Sequence, residues 1–166
     1  MKAENIIGPA SIVEKQERPC FGVRFETPFN GMFAVVTKVL KEMRKWANHN
    51  GVSEEGPFFL RYHHIDMQGI MDVEVGFMTE ADIAEDDRIK RGGLPGGKYA
   101  TLTYRGNGLR GNQALLNWIR ENAIALDHIA GDEASFSSRY EAYLTDYRVE
   151  PRKLLWDVEL SIKVAG

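Results

Sequence analysis

The sequence predicts an α+β fold: a duplicated β-α-β-β unit with antiparallel sheets, two main helices and a central cleft on a pseudo-twofold axis. Three observations carry this. The order strand, helix, strand, strand is legible over about residues 11–79 and again over about 88–165. Short similarities recur at a fixed separation. Arg61-Tyr62 aligns with Arg139-Tyr140, and Phe21-Gly22-Val23 with Tyr99-Ala100-Thr101, both at an offset of 78 (139 minus 61, 99 minus 21). Asp72-Val73-Glu74-Val75 aligns with Asp157-Val158-Glu159-Leu160 at 85 (157 minus 72), so the second hairpin has a turn seven residues longer. Finally, each half carries one amphipathic stretch with a tryptophan on its apolar stripe, which supplies the helix.

Residues 1–10 are weakly patterned, and Ser11–Gln16 begins an alternating run that ends near Pro19, a short strand. Phe21–Glu26 alternates with Phe21, Val23 and Phe25 on one face, which defines a second, half-buried strand. After the break at Pro28-Phe29-Asn30-Gly31, Met32, Val36, Val39, Leu40, Met43, Trp46 and Ala47 recur at helical spacing up to Asn50, with Gly51 as the C-terminal stop. A turn at Glu54–Pro57 leads to a strand at Phe58–His64, and Gln68-Gly69 separates it from an antiparallel partner at Met71–Met78. Acidic Thr79–Asp87 holds too few apolar residues for a core element and reads as a linker. The second cycle has a glycine-rich connection at Ile89–Gly97, a strand at Lys98–Tyr104 and a helix over Leu109–Leu126. Strands at Phe136–Leu144 and Leu154–Val164 close it, joined by a turn around Glu150-Pro151-Arg152.

A chain of 166 residues is long enough for one domain with a substantial core. Its single cysteine, Cys20, forms no internal disulfide, and no apolar stretch follows Met1, so a cytoplasmic location is expected. No uncharged run approaches the roughly 20 residues that cross a bilayer. The net charge of −3, with both signs interspersed, gives no basic footprint, and direct nucleic-acid binding is not expected.

Several local motifs carry no chemistry. Gly92-Gly93-Leu94-Pro95-Gly96-Gly97-Lys98 has the glycines and lysine of a phosphate loop, but Tyr99 stands where a magnesium-ligating hydroxyl belongs, and a strand follows instead of a helix. Gly106-Asn107-Gly108-Leu109-Arg110-Gly111 spells a dinucleotide fingerprint, yet no second parallel strand ending in an acidic residue follows, so a tight strand-to-helix turn is the simpler reading. His63 and His64 point to opposite faces of their strand, and His49 and His128 lack ligand spacing, so neither metal nor cofactor is expected. Cys20 reads as a small buried hydrophobe, and Trp46 and Trp118 as core residues. Trp156, at the start of the last strand, fits core or ligand contact.

Glu141 is different. It lies in Arg139-Tyr140-Glu141-Ala142-Tyr143-Leu144, among residues of a buried strand, where an unpaired charge is costly. If Tyr140, Ala142 and Leu144 face the helices, alternation puts Arg139, Glu141 and Tyr143 on the other face, with Arg61, His63 and Ile65 in the equivalent strand. Two sheets related by a pseudo-twofold would bring Glu141 and His63 into one cleft. The plain alternative is a glutamate on a solvated face paired with Arg139. Alternation alone does not choose.

A wider pattern does bear on that choice. Trp46, Gly51, Gly56-Pro57, Tyr62 and Asp66, then Leu94-Pro95-Gly96-Gly97-Lys98-Tyr99-Ala100, Tyr104-Arg105-Gly106, Trp118-Ile119 and Tyr140-Glu141-Ala142-Tyr143-Leu144, spans nearly the whole chain. It resembles the gyrase-inhibitor-like (GyrI-like) family of bacterial effector-binding domains. Asn107-Gly108 departs from the proline and aromatic that many relatives carry after Gly106. The resemblance implies two β-α-β-β units around a ligand cleft with Glu141 as its central carboxylate; Tyr143, Tyr62 and Trp156 are the aromatic ligand contacts expected beside it, with His63 from the alternation above. It also implies two roles for that carboxylate: anchoring lipophilic, cationic ligands, as in multidrug-responsive regulators, or acting as general acid or base on reactive cyclopropane-containing compounds, as in a hydrolytic branch. Regulators of the family carry a helix-turn-helix; none is expected here, where the two repeats account for nearly all 166 residues. The leading expectation is therefore a stand-alone cytoplasmic domain that binds a small molecule, followed by a hydrolase using Glu141, and then by a protein-interaction module such as a gyrase inhibitor.

Overall fold

Hydrophobic alternation in both halves resolves into one curled antiparallel sheet, with both amphipathic helices packed on the same face of it. The computed structural model describes residues 5–52 and 56–166, so Glu54 and Glu55 of the expected Glu54–Pro57 turn lie outside the described residues. The first half comprises β1 (Ile6–Ile7), β2 (Ser11–Lys15), β3 (Arg18–Pro28), α1 (Met32–His49), β4 (Phe58–His64) and β5 (Ile70–Met78). The second comprises β6 (Lys90–Leu94), β7 (Gly97–Arg105), α2 (Gly108–Glu121), β8 (His128–Ile129), β9 (Asp132–Phe136), β10 (Arg139–Tyr143) and β11 (Asp157–Lys163), with a 3-10 turn at Lys153–Leu155.

The strands run in the order β7-β11-β10-β4-β5-β3, with β1 and β2 added to β7 and β6 to β3. Outward from the β10–β4 seam, each half contributes its strands in the same sequence, which is the pseudo-twofold relation. Separate sheets facing one another across a cleft are not what forms. Tyr140 pairs with Arg61 and Tyr143 with Phe58, so the halves join edge to edge and the N–H and C=O groups of both inner edges are satisfied.

Burial corrects the alignment between the halves by one residue. Val36 and Leu115, Leu40 and Ile119, and Val23 and Leu102 all lie in the core beneath the helices, and each pair is 79 apart (115 minus 36), not 78. The hairpin offset of 85 stands, since it brings Val73 onto Val158 and Val75 onto Leu160 in that same core. A slip of one residue exchanges the faces of a strand. In the inner strands the offset is 81 (141 minus 60), since Leu60 pairs with Val75 as Glu141 pairs with Leu160, so the counterpart of Glu141 is Leu60 rather than His63, and that of Tyr143 is Tyr62. Tyr140 and Ala142, expected to face the helices, lie instead in a second core on the opposite face, with Cys20, Phe59, Met78, Leu94 and Tyr99, while Leu144 is exposed.

Element ends differ from expectation where backbone geometry intervenes. α2 stops at Glu121, short of Leu126, because Ala123 adopts a left-handed conformation (φ 53°) and the Ile124 amide reaches back to the Ile119 carbonyl at 3.0 Å. The run Phe136–Leu144 is broken at Ser137-Ser138, the glycine-rich connection contains β6, and the last strand begins at Asp157 behind the 3-10 turn. The turn into α2 has the tight form expected of it. A Cβ on Gly111 would stand 2.6 Å from the Tyr104 ring, so glycine lets the helix lie directly over β7. No helix among the described residues is long and apolar enough to cross a membrane.

Candidate functional site

Glu141 and Tyr143 share one face of β10, and Leu60 and Tyr62 share that face on β4, because the seam pairs Glu141 with Leu60. The helices cover this face on either side of the seam. Between them remains a cavity of about 480 Å³, walled by Phe33 of α1, Leu109 and Leu116 of α2, and Tyr62, Tyr104 and Met71 of the sheet. Glu141 lines it although only 2 % exposed.

Tyr143 is the one hydrogen-bond donor to the Glu141 carboxylate among the described residues, with Oη 2.6 Å from Oε1. Burial, and then the negative charge of Glu141, push the phenol of Tyr143 well above the usual tyrosine range. The same two causes raise Tyr62, where Arg139 acts the other way, and Tyr104. These phenols are therefore neutral donors. The hydroxyl of Tyr104 is buried with no hydrogen-bond partner, so the wall of the cavity holds a polar group not satisfied by the protein.

Two cations share the cavity with Glu141. Arg139, two residues earlier on the same face, makes among the described residues a single long hydrogen bond, to Asn112 Oδ1 (3.3 Å), and its guanidinium lies 4.8 Å from the centre of the Phe136 ring. Burial pulls this guanidinium below its ordinary pKa, opposed by Tyr62 and Glu141. Lys153 stands at the rim, its Nζ 5.1 Å from the Phe33 ring centre and 5.9 Å from that of Tyr143.

The expected site residues divide. Glu141 and Tyr62 line the cavity, and Tyr143 lies directly behind the carboxylate. Trp156 is one step removed: it packs against Tyr143 (ring centres 5.3 Å apart) and lines a separate cavity of about 200 Å³ beside α1, its Nε1 donating to the Glu150 carbonyl at 2.5 Å. His63 is on the other side of the sheet, where its Nε2 pairs with Glu74 Oε1 at 2.9 Å. It therefore does not meet Glu141, as strand alternation requires once Tyr62 is placed on the Glu141 face. A bulge between Tyr62 and His64 returns Ile65 to the cavity side. Cys20 is buried against the rear core, and desolvation, then Glu74, push its thiol up to about 12 despite Arg61, which makes it an inert thiol.

This geometry has a family. The GyrI-like small molecule binding domain matches residues 9–165. The chain belongs to the GyrI-like family. Comparison with the curated proteins gives no match. Among solved structures, the C-terminal domain of EcmrR is similar at 20% identity and a TM-score of 0.71, covering 96% of this chain and 98% of that one. In an EcmrR–DNA complex the likeness (20% identity, TM-score 0.72) covers 95% of this chain but 57% of the regulator, so the chain spans little more than half its length. A structure described as a hydrolase from Listeria innocua is similar at 11% identity (TM-score 0.61; 94% and 91% covered), and SAV2435 bound to tetraphenylphosphonium at 10% (0.65; 95% and 94%). At such identities these structures share the fold with this chain.

Tyr104, Leu116, Phe33 and Lys153 also line the cavity of this GyrI-like domain, beyond the residues expected from the sequence. One signal was present. The helical stripes match only after a one-residue shift from the strand identities, and that shift, applied to the strands, brings Phe25 to Tyr104 and turns Tyr62, not His63, to the face of Glu141. For Lys153, in an irregular connection, no periodicity existed to read.

Proposed function

We propose that this GyrI-like domain reversibly binds a lipophilic small molecule in the cavity at the β4–β10 seam, with Glu141 accepting a cationic or N–H group of the ligand and the aromatic walls supplying apolar contact. The observation that carries this reading is the carboxylate itself. It is almost fully buried, held by one phenol, and turned toward a largely apolar chamber. A charge in that position costs several kcal/mol of desolvation that an apolar residue would avoid, so the fold gains nothing from it, whereas a ligand would. The volume suits a molecule of a few fused or linked rings. That SAV2435, of the same fold, is seen with tetraphenylphosphonium supports an aromatic, lipophilic occupant. Calorimetric titration with lipophilic cations and their neutral analogues tests it: Glu141→Gln is expected to weaken the cations about tenfold or more. Binding unaltered by this substitution would refute the anchor.

A hydrolytic reading draws on one feature, the 2.6 Å contact between Glu141 and Tyr143, which pairs a buried base with a phenolic donor. In that reading Glu141 activates water against an electrophilic ring. Product formation from reactive cyclopropanes, abolished by Glu141→Gln, is its test; tight binding without turnover decides for the first reading.

A further inference from the structure

The charges around the cavity do not describe a receptor for cations alone. Its lining holds one carboxylate, Glu141, and two cations, Arg139 and Lys153, with Asn112, Gln113, Tyr62 and Tyr104 as the neutral polar groups. The carboxylate already accepts a hydrogen bond at 2.6 Å. The cations are less well served. Lys15 and Lys163 reach carboxylates at 2.6 and 2.8 Å, but Lys153 has only ring faces beside it, and no carboxylate within 4 Å among the described residues. Arg139 spends one of its five N–H donors on a 3.3 Å bond to Asn112. A half-buried guanidinium with four donors unassigned among the described residues is an open site for an acceptor, and its planar fork suits the oxygens of a carboxylate or sulfonate.

The two cations flank Glu141. Arg139 lies two residues before it on the strand, and Lys153 stands over Tyr143, two residues after it. A lone lipophilic cation drawn to Glu141 would sit between two positive charges in a poorly solvated space, and part of the attraction would be cancelled. A ligand that also carries an acid would turn both repulsions into contacts.

We infer that the cavity selects an aromatic acid: a lipophilic molecule whose carboxylate, sulfonate or similar anionic group is held by Arg139 and Lys153, next to an N–H or ammonium group accepted by Glu141. This rests on the cavity being the ligand site, and it specifies the charge class of the ligand.

Two fluorescent probes of one scaffold test it. Anilinonaphthalenesulfonate carries an aromatic N–H and an anionic group, and N-phenylnaphthylamine is the same amine without the sulfonate. Wild type is expected to bind the sulfonate more tightly by about tenfold or more, the factor one charge-assisted hydrogen bond supplies. Tetraphenylphosphonium is expected to displace it poorly. The ratio of the two affinities within one variant cancels losses of folded protein. Arg139→Gln should bring that ratio near one, Lys153→Met should lower it by about threefold, and Arg139→Lys should restore part of it. A ratio near one in wild type, or one indifferent to both Arg139→Gln and Lys153→Met, overturns the inference while leaving the cavity as a binding site. Sulfonate binding that survives filling the cavity by Leu116→Trp overturns it too, since the acid would then be held elsewhere. Failure of both probes to bind overturns the inference together with the proposed function.

Discussion

Removing the hydroxyl of Tyr143 isolates the buried carboxylate, and the structure sets the size of the effect. Tyr143 is 5 % exposed and donates to Glu141 at 2.6 Å, so Tyr143→Phe deletes one charge-assisted hydrogen bond while keeping the ring against Trp156. Such bonds contribute about 1.5–3 kcal/mol. The carboxylate also borders a cavity of about 480 Å³, large enough for water to take the vacated position, which puts the loss at the lower end, about 1.5 kcal/mol. For a domain of this length that lowers Tm by about 3–6 °C. Glu141→Gln keeps an acceptor for the phenol and removes the desolvated charge, so it is expected to leave stability unchanged or raise it. Urea unfolding of wild type, both single variants and the double variant closes the cycle, with an expected coupling of at least about 0.5 kcal/mol between the two positions. Strict additivity, or a Tyr143→Phe protein as stable as wild type, would refute the assigned bond, and a Glu141→Gln protein clearly less stable than wild type would refute the cost assigned to the buried charge.

Three further outcomes follow from the same geometry. Tyr62, Tyr99, Tyr104 and Tyr143 all have folded pKa values raised above the ordinary 10, first by burial, with Tyr99 near 12. Above pH 10 the unfolded chain gives up phenolic protons that the folded chain keeps, so stability present below pH 10 is lost as pH rises toward 12, by up to about 1.4 kcal/mol per pH unit for each such tyrosine; absorbance at alkaline pH should show these tyrosines ionising together with unfolding. Gly76→Ala is expected to destabilise by about 3 kcal/mol, because the new methyl would press on the Phe21 carbonyl oxygen and stand 2.9 Å from the Phe59 ring, both fully buried; thermal melts measure it. Leu116→Trp fills the chamber beside α2 and should weaken any lipophilic probe at least tenfold while the circular dichroism of the fold persists.

Much of the fold was legible because period and position are local properties. Val36, Leu40 and Met43 had to form a helical stripe, and Phe21, Val23 and Phe25 one face of a strand, whatever they packed against. The order strand, helix, strand, strand in both halves, the core role of Trp46 beside Phe21, and the tight turn at Gly106–Gly111 all follow from such local rules. The candidate site was legible only in its centre. Glu141 announced itself as a charge in an apolar strand, but the face it shares depends on register, and identities at an even offset of 78 concealed odd offsets that exchange the faces.

The kind and order of the elements and the presence of a misfit carboxylate are thus written in neighbouring residues. The company that carboxylate keeps is a property of the folded chain. Antiparallel pairing of β4 with β10 turned Tyr62 toward it and His63 away, the bulge after Tyr62 brought Ile65 back, and the connection from Tyr143 to Asp157 carried Lys153 to the rim. Each of these depends on hydrogen bonds and packing between residues far apart in the chain, and a shift of one residue in any of them would have built a different chamber.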